Sequence, residues 1–245
     1  MKLKDVYLQA INELKKTLVS LNQNPDFLYT SNDEKYILKI KKQENSEENQ
    51  SKQKLLDEIN EKVKVCNKCM LAKKRINTVF GEGNINAEIM FIGEGPGEQE
   101  DKSGKPFVGP AGQLLTDIIE KGMKLKREDV YISNIVKCRP PGNRNPEVNE
   151  VASCINYIYE QIKIINPKII VLLGNIALTS LLPKYTGITK YRGNEYILIL
   201  DKEHKYKVIP TYHPSYLLRG TESEIKIKKK ETWEDIKKVL QISDL

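Results

Sequence analysis

No stretch of the 245 residues approaches the roughly 18 consecutive apolar positions that a membrane-spanning helix needs. The opening segment, MKLKDVYLQAINELKKTL, lacks the apolar centre of a secretory signal. Cysteine is sparse as well, at four residues, which excludes the disulfide-stapled scaffolds of small exported proteins. A cytoplasmic or nucleoid-associated protein, neither secreted nor membrane-bound, is expected. What the chain does have is 39% hydrophobic residues, enough for a real core, and a length that allows one large domain with or without a small appendage.

The net charge of +7 is unevenly placed. Residues 1–60 hold 10 Lys and 10 acidic residues, so the excess lies wholly in residues 61–245, with 30 basic and 23 acidic. A basic domain suits a polyanionic partner and steered association. Residues 3–21 read as an amphipathic helix, with Leu3, Tyr7, Ile11, Leu14, Leu18 and Leu21 on one stripe. Residues 41–54, KKQENSEENQSKQK, contain no apolar residue and read as a linker or solvated turn. The expected organisation is therefore a helical appendage over 1–40, a polar linker over 41–54 and a main domain over 55–245.

Within the main domain, helical spacing resumes over 55–65, and EIMFI (88–92) reads as a buried strand. A helix over 113–121 and a short strand over 130–133 follow. The next helix spans 147–165, with Pro146 in its first turn and Asn145 as its cap. KIIVLL (168–173) is a β-branched run of the parallel-sheet kind. A helix over 176–182, a pair of strands (195–200 and 206–210), a short turn of helix opening at His213-Pro214 and a closing helix over 231–240 complete the chain. Alternating strands and helices predict an α/β fold with a parallel sheet covered on both faces. Such sheets bind ligands beyond the carboxyl ends of their strands, which directs attention to loops 93–112, 134–146, 174–175 and 211–219.

Cys66 and Cys69 form a CxxC, and Cys138 and Cys154 lie 16 apart. Four thiolates can hold either zinc or a four-iron cluster, and spacing alone does not choose between them. Such a centre would tie together segments distant in sequence. It would also stiffen the loop RPPGNRN (139–145) as a basic edge. GEGPGEQED (93–101) is not a Walker loop, since no GK[ST] follows, and its acidic residues would repel a pyrophosphate. Its glycines permit close approach of a ligand to the backbone. Glu94, Glu98, Glu100 and Asp101 either form a solvated acidic turn or supply carboxylates that stabilise cationic charge or orient water. Phe107, one of four Phe, sits on a loop where it either stacks on a ligand or packs in the core. Asn134 follows the second strand, where its amide offers one donor and one acceptor to a polar ring edge. His213, one of two His, sits at another strand exit beside Ser215 and Arg219.

GEGPGEQEDKSGKPFVGPAG, SNIVKCRPPGNRNP and HPSYLLR, together with the four cysteines, closely resemble the family 4, iron–sulfur type uracil-DNA glycosylases. The likeness covers about residues 60–222. It implies a three-layer α/β/α sandwich around a four-stranded parallel sheet and a structural [4Fe-4S] cluster held by Cys66, Cys69, Cys138 and Cys154. Glu94 and Gly95, with Pro96 and Gly97, match the family's first motif, which lacks the catalytic aspartate of other uracil-DNA glycosylases. Glu100 matches a pocket acid, Phe107 the stacking aromatic, Asn134 the uracil-reading amide and His213 the second-motif histidine. Ser215, Leu217, Leu218 and Arg219 match the loop that wedges into DNA. The implied partner is uracil-containing DNA, and the implied reaction releases uracil and leaves an abasic site without strand cleavage. A rival of the same fold acts on another deaminated base; a rival of a different class binds nucleic acid without chemistry. The first 50 residues fall outside the likeness. Their apolar stripe is expected to contact a second copy of the chain or a replication or repair protein.

Overall fold

The computed structural model describes residues 31–243 and, before them, only Gln9, Glu13 and Lys16; the amphipathic stripe expected over 3–21 lies outside the described residues. The chain divides into two compact units, Met1–Ser51 and Lys52–Leu245. Helix α1, Ser31–Lys64, runs straight through the polar stretch 41–54. That stretch, expected as a linker or solvated turn, contains no Gly or Pro and is rich in Lys, Glu and Gln, which all tolerate a helix well. Leu56, Ile59 and Val63, at the end of α1, are buried in the core of the second unit.

The sheet is six-stranded and mixed, in the order β1-β3-β2-β4-β6-β5. Its strands are β1 (Glu82–Gly83), β2 (Ile89–Gly93), β3 (Tyr131–Asn134), β4 (Ile169–Leu173), β5 (Tyr196–Ile199) and β6 (Lys205–Thr211). This corrects the expected four-stranded parallel sheet. The inner four strands are parallel, with β2 pairing β3 and β4, and β4 pairing β6. An antiparallel strand borders each edge: β1 on β3, and β5 on β6. β1 has only two residues, too few for any alternation to announce it. β5 precedes β6 and pairs with it through the hairpin turn over 200–204, which chain proximity favours.

β2 and β4 are buried at every position, as their unbroken apolar runs require. One face of the sheet packs against α1, α4 (Val148–Ile165) and α5 (Asn175–Leu181). The other packs against α3 (Pro110–Asp117), its π-helical continuation Ile118–Gly122, and the last helix, α7 (Glu222–Ser243). Two short helices, α2 (Glu98–Ser103) and α6 (Ile188–Tyr191), lie in the connections. α7 begins nine residues before the expected start, because its first turns are mostly polar and show little apolar period.

α4 starts at Val148 with Glu147 as its cap, rather than at Pro146 with Asn145. The buried Glu150 carboxylate decides this. It accepts the Glu147 N–H at 2.7 Å and both Arg144 guanidinium nitrogens at 2.8 Å. One acid therefore caps the helix and anchors the basic loop 139–145 to it, a charge-assisted, two-pronged arrangement. The Arg144 charge holds the Glu150 carboxyl below its ordinary range.

Candidate active site

The four parallel strands end side by side, and the loops leaving Gly93, Asn134, Leu173 and Thr211 enclose an open cavity of about 690 Å³. Glu94, Gly95, Pro96, Gly97, Glu100, Phe107, Asn134, His213, Ser215, Leu218 and Arg219 all line it. Of the residues singled out in the sequence for base and DNA contact, only Leu217 is absent. It is 1% exposed, buried beneath the short 3₁₀ turn Pro214–Leu218, whereas Leu218 is 45% exposed.

Asn134 ends β3 and is buried, and its Oδ1 has no hydrogen-bond partner. A buried acceptor left unpaired is costly, which marks the position as awaiting a donor. Phe107 stands on the same side: a Cβ on Gly93 would lie 2.5 Å from both Asn134 Oδ1 and Phe107 Cζ. Only glycine at the end of β2 lets the amide and the ring approach the same backbone. Phe107 itself holds φ 51°, a strained region for an aromatic residue, at about 1–2 kcal/mol. Glu100 supplies the restraint. Its Oε1 accepts from the N–H groups of Val108 and Gly109, each at 2.8 Å, and its Oε2 from Gly97 N–H at 3.1 Å. Glu100 thus clamps the glycine-rich loop to the turn that carries Phe107.

Glu94, half-buried at the cavity wall, is different. Burial pushes its carboxyl up to about 7. Across the cavity, the His213 ring lies 5.7 Å from the Phe107 ring, centroid to centroid. His213 Nδ1 accepts the backbone N–H of Ser215 at 3.1 Å and lies 2.8 Å from the Ser215 hydroxyl. With Nδ1 accepting, the neutral ring carries its proton on Nε2. Burial, then the Arg219 charge, hold the imidazole down at about 4, against an opposing pull from Glu100. Gly174, at φ 90°, permits this placement, since a Cβ there would come within 2.9 Å of the His213 Cβ.

The four cysteines line a second, separate cavity. Cys138 and Cys154 are buried, and Cys66 and Cys69 half-buried. No carboxylate or imidazole shares the lining; Arg75, Lys68 and Lys137 do. Arg75 donates to Cys138 Sγ at 3.2 Å and to the Cys66 carbonyl at 2.9 Å. Burial pushes the Cys154 thiol up to about 11, partly offset by Lys137, and raises Cys138 against the pull of Arg75. The donor set is uniformly soft and is surrounded by positive charge, which fits a metal–thiolate centre. Among the described residues no three ligand-type side chains converge as a single metal ion demands. Arg75 and Lys137 carry no motif-level signal beyond their charge and were not foreseen. Asp101, expected in a solvated acidic turn or among the carboxylates serving the site, is 2% exposed and accepts from the backbone of Ile76 and Asn77, tying the segment after the CxxC to α2.

Residues 80–237 match the model of the uracil DNA glycosylase superfamily. The chain belongs to that family. It is 49% identical over 177 residues to a type-4 uracil-DNA glycosylase of Thermotoga maritima, covering 72% of this chain and 90% of that one. It is 46% identical to a type-4 uracil-DNA glycosylase of Sulfurisphaera tokodaii over 192 residues, 77% of this chain and 84% of the relative. A type-5 uracil-DNA glycosylase of Pyrobaculum aerophilum matches at 30% identity over 151 residues, 55% of this chain and 64% of that one. The matched span contains the whole cavity at the strand ends, so the glycosylase assignment rests on the same residues as the geometry. No helix among the described residues is long and apolar enough to cross a membrane.

Proposed function

We propose that this uracil-DNA glycosylase hydrolyses the N-glycosidic bond of deoxyuridine in single- and double-stranded DNA, with Asn134 reading the base and His213 stabilising the leaving group. The observation that carries this reading is the unpaired, buried Asn134 Oδ1 facing the same cavity as Phe107. Uracil N3–H donates to that oxygen and the amide nitrogen donates to O4; cytosine presents the opposite pattern and leaves buried groups unpaired. Phe107 stacks on the base after it turns out of the helix, a step made easier where uracil is mispaired. Leu218, exposed at the cavity rim, fills the vacated space, and Arg219 holds a flanking phosphate.

Bond cleavage leaves positive character on the sugar and negative charge on the uracil ring. Neutral His213 donates its Nε2–H to uracil O2 as that charge develops, and Ser215 keeps the tautomer in place. Glu94 orients the attacking water. Its carboxylate is desolvated, whereas the Glu100 carboxylate is held by the backbone N–H groups of Gly97, Val108 and Gly109, which favours Glu94 over Glu100 as the acid facing the reaction. The products are free uracil and an abasic site.

Cys66, Cys69, Cys138 and Cys154 hold a structural [4Fe-4S] cluster in this reading. Support comes from four thiols that line one cavity with no carboxylate or imidazole among them. When bound, the cluster supplies cross-linking of scaffold rather than chemistry. The N-terminal unit serves protein contact, with a second copy or a replication or repair protein, and the glycosylase is cytoplasmic or nucleoid-associated. A panel of oligonucleotides carrying uracil, cytosine, xanthine or hypoxanthine tests the base assignment. Asn134→Asp is expected to narrow the uracil preference over cytosine; release of xanthine or hypoxanthine in preference to uracil overturns it. Metal analysis of an anaerobic preparation is expected to give about four irons per chain; stoichiometric zinc contradicts the cluster.

A further inference from the structure

Lys137 is the only basic side chain buried among the described residues, at 1% exposure. Its Nζ donates to Ser133 Oγ at 2.6 Å, to Gln161 Oε1 at 2.6 Å and to the Asn134 carbonyl at 2.9 Å. Three acceptors require three N–H groups, so the geometry calls for the ammonium. The acceptors are themselves fixed. Ser133 Oγ donates to the Phe80 carbonyl, and Gln161 Nε2 donates to the same carbonyl and to the Tyr131 hydroxyl.

A buried ammonium needs a counter-charge, since its desolvation costs several kcal/mol. The other buried charges either meet an opposite charge or are saturated by backbone: Glu150 has Arg144, Asp235 has Arg192, and Asp101 has two amides. No carboxylate pairs with Lys137 among the described residues. The groups near it that can bear negative charge are Cys154 and Cys138, and Lys137 lines the same cavity as all four thiols. Its ammonium also holds the carbonyl of Asn134, whose side chain faces the base cavity.

We propose that Lys137 is a positioning residue that joins the two cavities: its ammonium balances the cysteine thiolates, and its donation to the Asn134 carbonyl sets the backbone from which the base-reading amide projects. The inference rests on the reading of the cysteines as metal ligands and of Asn134 as base reader. It gives the metal centre a direct line to specificity, through one side chain.

The test uses the metal-loaded full chain and three readouts: half-time of metal loss to a chelator, single-turnover uracil release, and DNA affinity. Lys137→Met removes charge and strut together. It is expected to lose metal at least about fivefold faster and to release uracil at least about tenfold more slowly, with DNA affinity within about twofold. Gln161→Leu leaves the charge and loosens the strut. It is expected to hold metal like the parent while uracil release slows by about threefold or more. Should Lys137→Met yield no soluble protein, Gln161→Leu decides: slowed release with parental metal retention supports the coupling, and parental release overturns it. Lys137→Met that matches the parent in metal loss and uracil release overturns the proposal alone. So does equal acceleration of metal loss in both variants, which signals general loosening. A parent without bound metal overturns the cysteine reading and the proposal together, and a parent that releases no uracil overturns the proposed function first.

Discussion

The Ser215 N–H donates to Nδ1 of His213 at 3.1 Å, and this single backbone bond determines which ring nitrogen can serve as a donor. It comes from the main chain, so the Ser215 side chain is not needed to keep the tautomer. Ser215→Ala is expected to retain single-turnover uracil release within about threefold of the parent, losing only the contact from its hydroxyl. A loss as large as that of a missing oxyanion donor would show that the hydroxyl, not the amide, sets the ring.

Glu94 and His213, which both line the cavity, are shifted in opposite senses. Glu94 is raised to about 7 by burial, so it is protonated below that pH and ionised above it. His213 is lowered to about 4, so it is neutral throughout the range from 5 to 9. Uracil release should therefore rise with pH through about 7 and show no limb from imidazole protonation above about 5. Glu94→Gln is expected to flatten the rise. A rise that survives the substitution assigns it to another group.

Adjacent leucines in the 3₁₀ turn have different duties. Leu218→Ala should slow release from duplex DNA by about tenfold while sparing single strands, because a single strand leaves no gap to fill. Leu217→Ala should instead lower stability by about 2–5 kcal/mol, the cost of a buried leucine cavity, and lower the thermal midpoint. Thermal melts and paired single- and double-strand assays separate the two. Exchanged phenotypes would contradict the placement of the turn.

Removing residues 1–50 should leave uracil release on short oligonucleotides within about threefold, and the salt dependence of DNA affinity unchanged. The ten basic and ten acidic residues of positions 1–60 offer DNA no net attraction. A flattened salt slope after truncation would place the N-terminal unit in the DNA interface.

What could be read from the residues alone depended on how local the signal was. β2 and β4 declare themselves as continuous apolar runs, and each cavity loop follows a strand directly. β1 has no such signal, because its pairing with Ile132 and Tyr131 is made some fifty residues away. Helix and linker are likewise indistinct over 41–54, where polarity suggested a turn but good helix formers sustain α1. Glu100 is held by backbone amides, partners that no residue pattern records. Nothing in the residue pattern marks Lys137, whose burial and three acceptors only the packed structure shows. Leu217 and Leu218 differ only in which side of a turn they occupy, and sequence does not distinguish them.

The most direct test is release of free uracil from a deoxyuridine-containing oligonucleotide under single-turnover conditions, comparing the full chain with His213→Ala. The parent is expected to release uracil and leave an alkali-labile abasic site, and His213→Ala to do so about 10²–10³ times more slowly at similar DNA affinity. Intact glycosidic bonds in the parent, or parental rates in His213→Ala, would contradict the account.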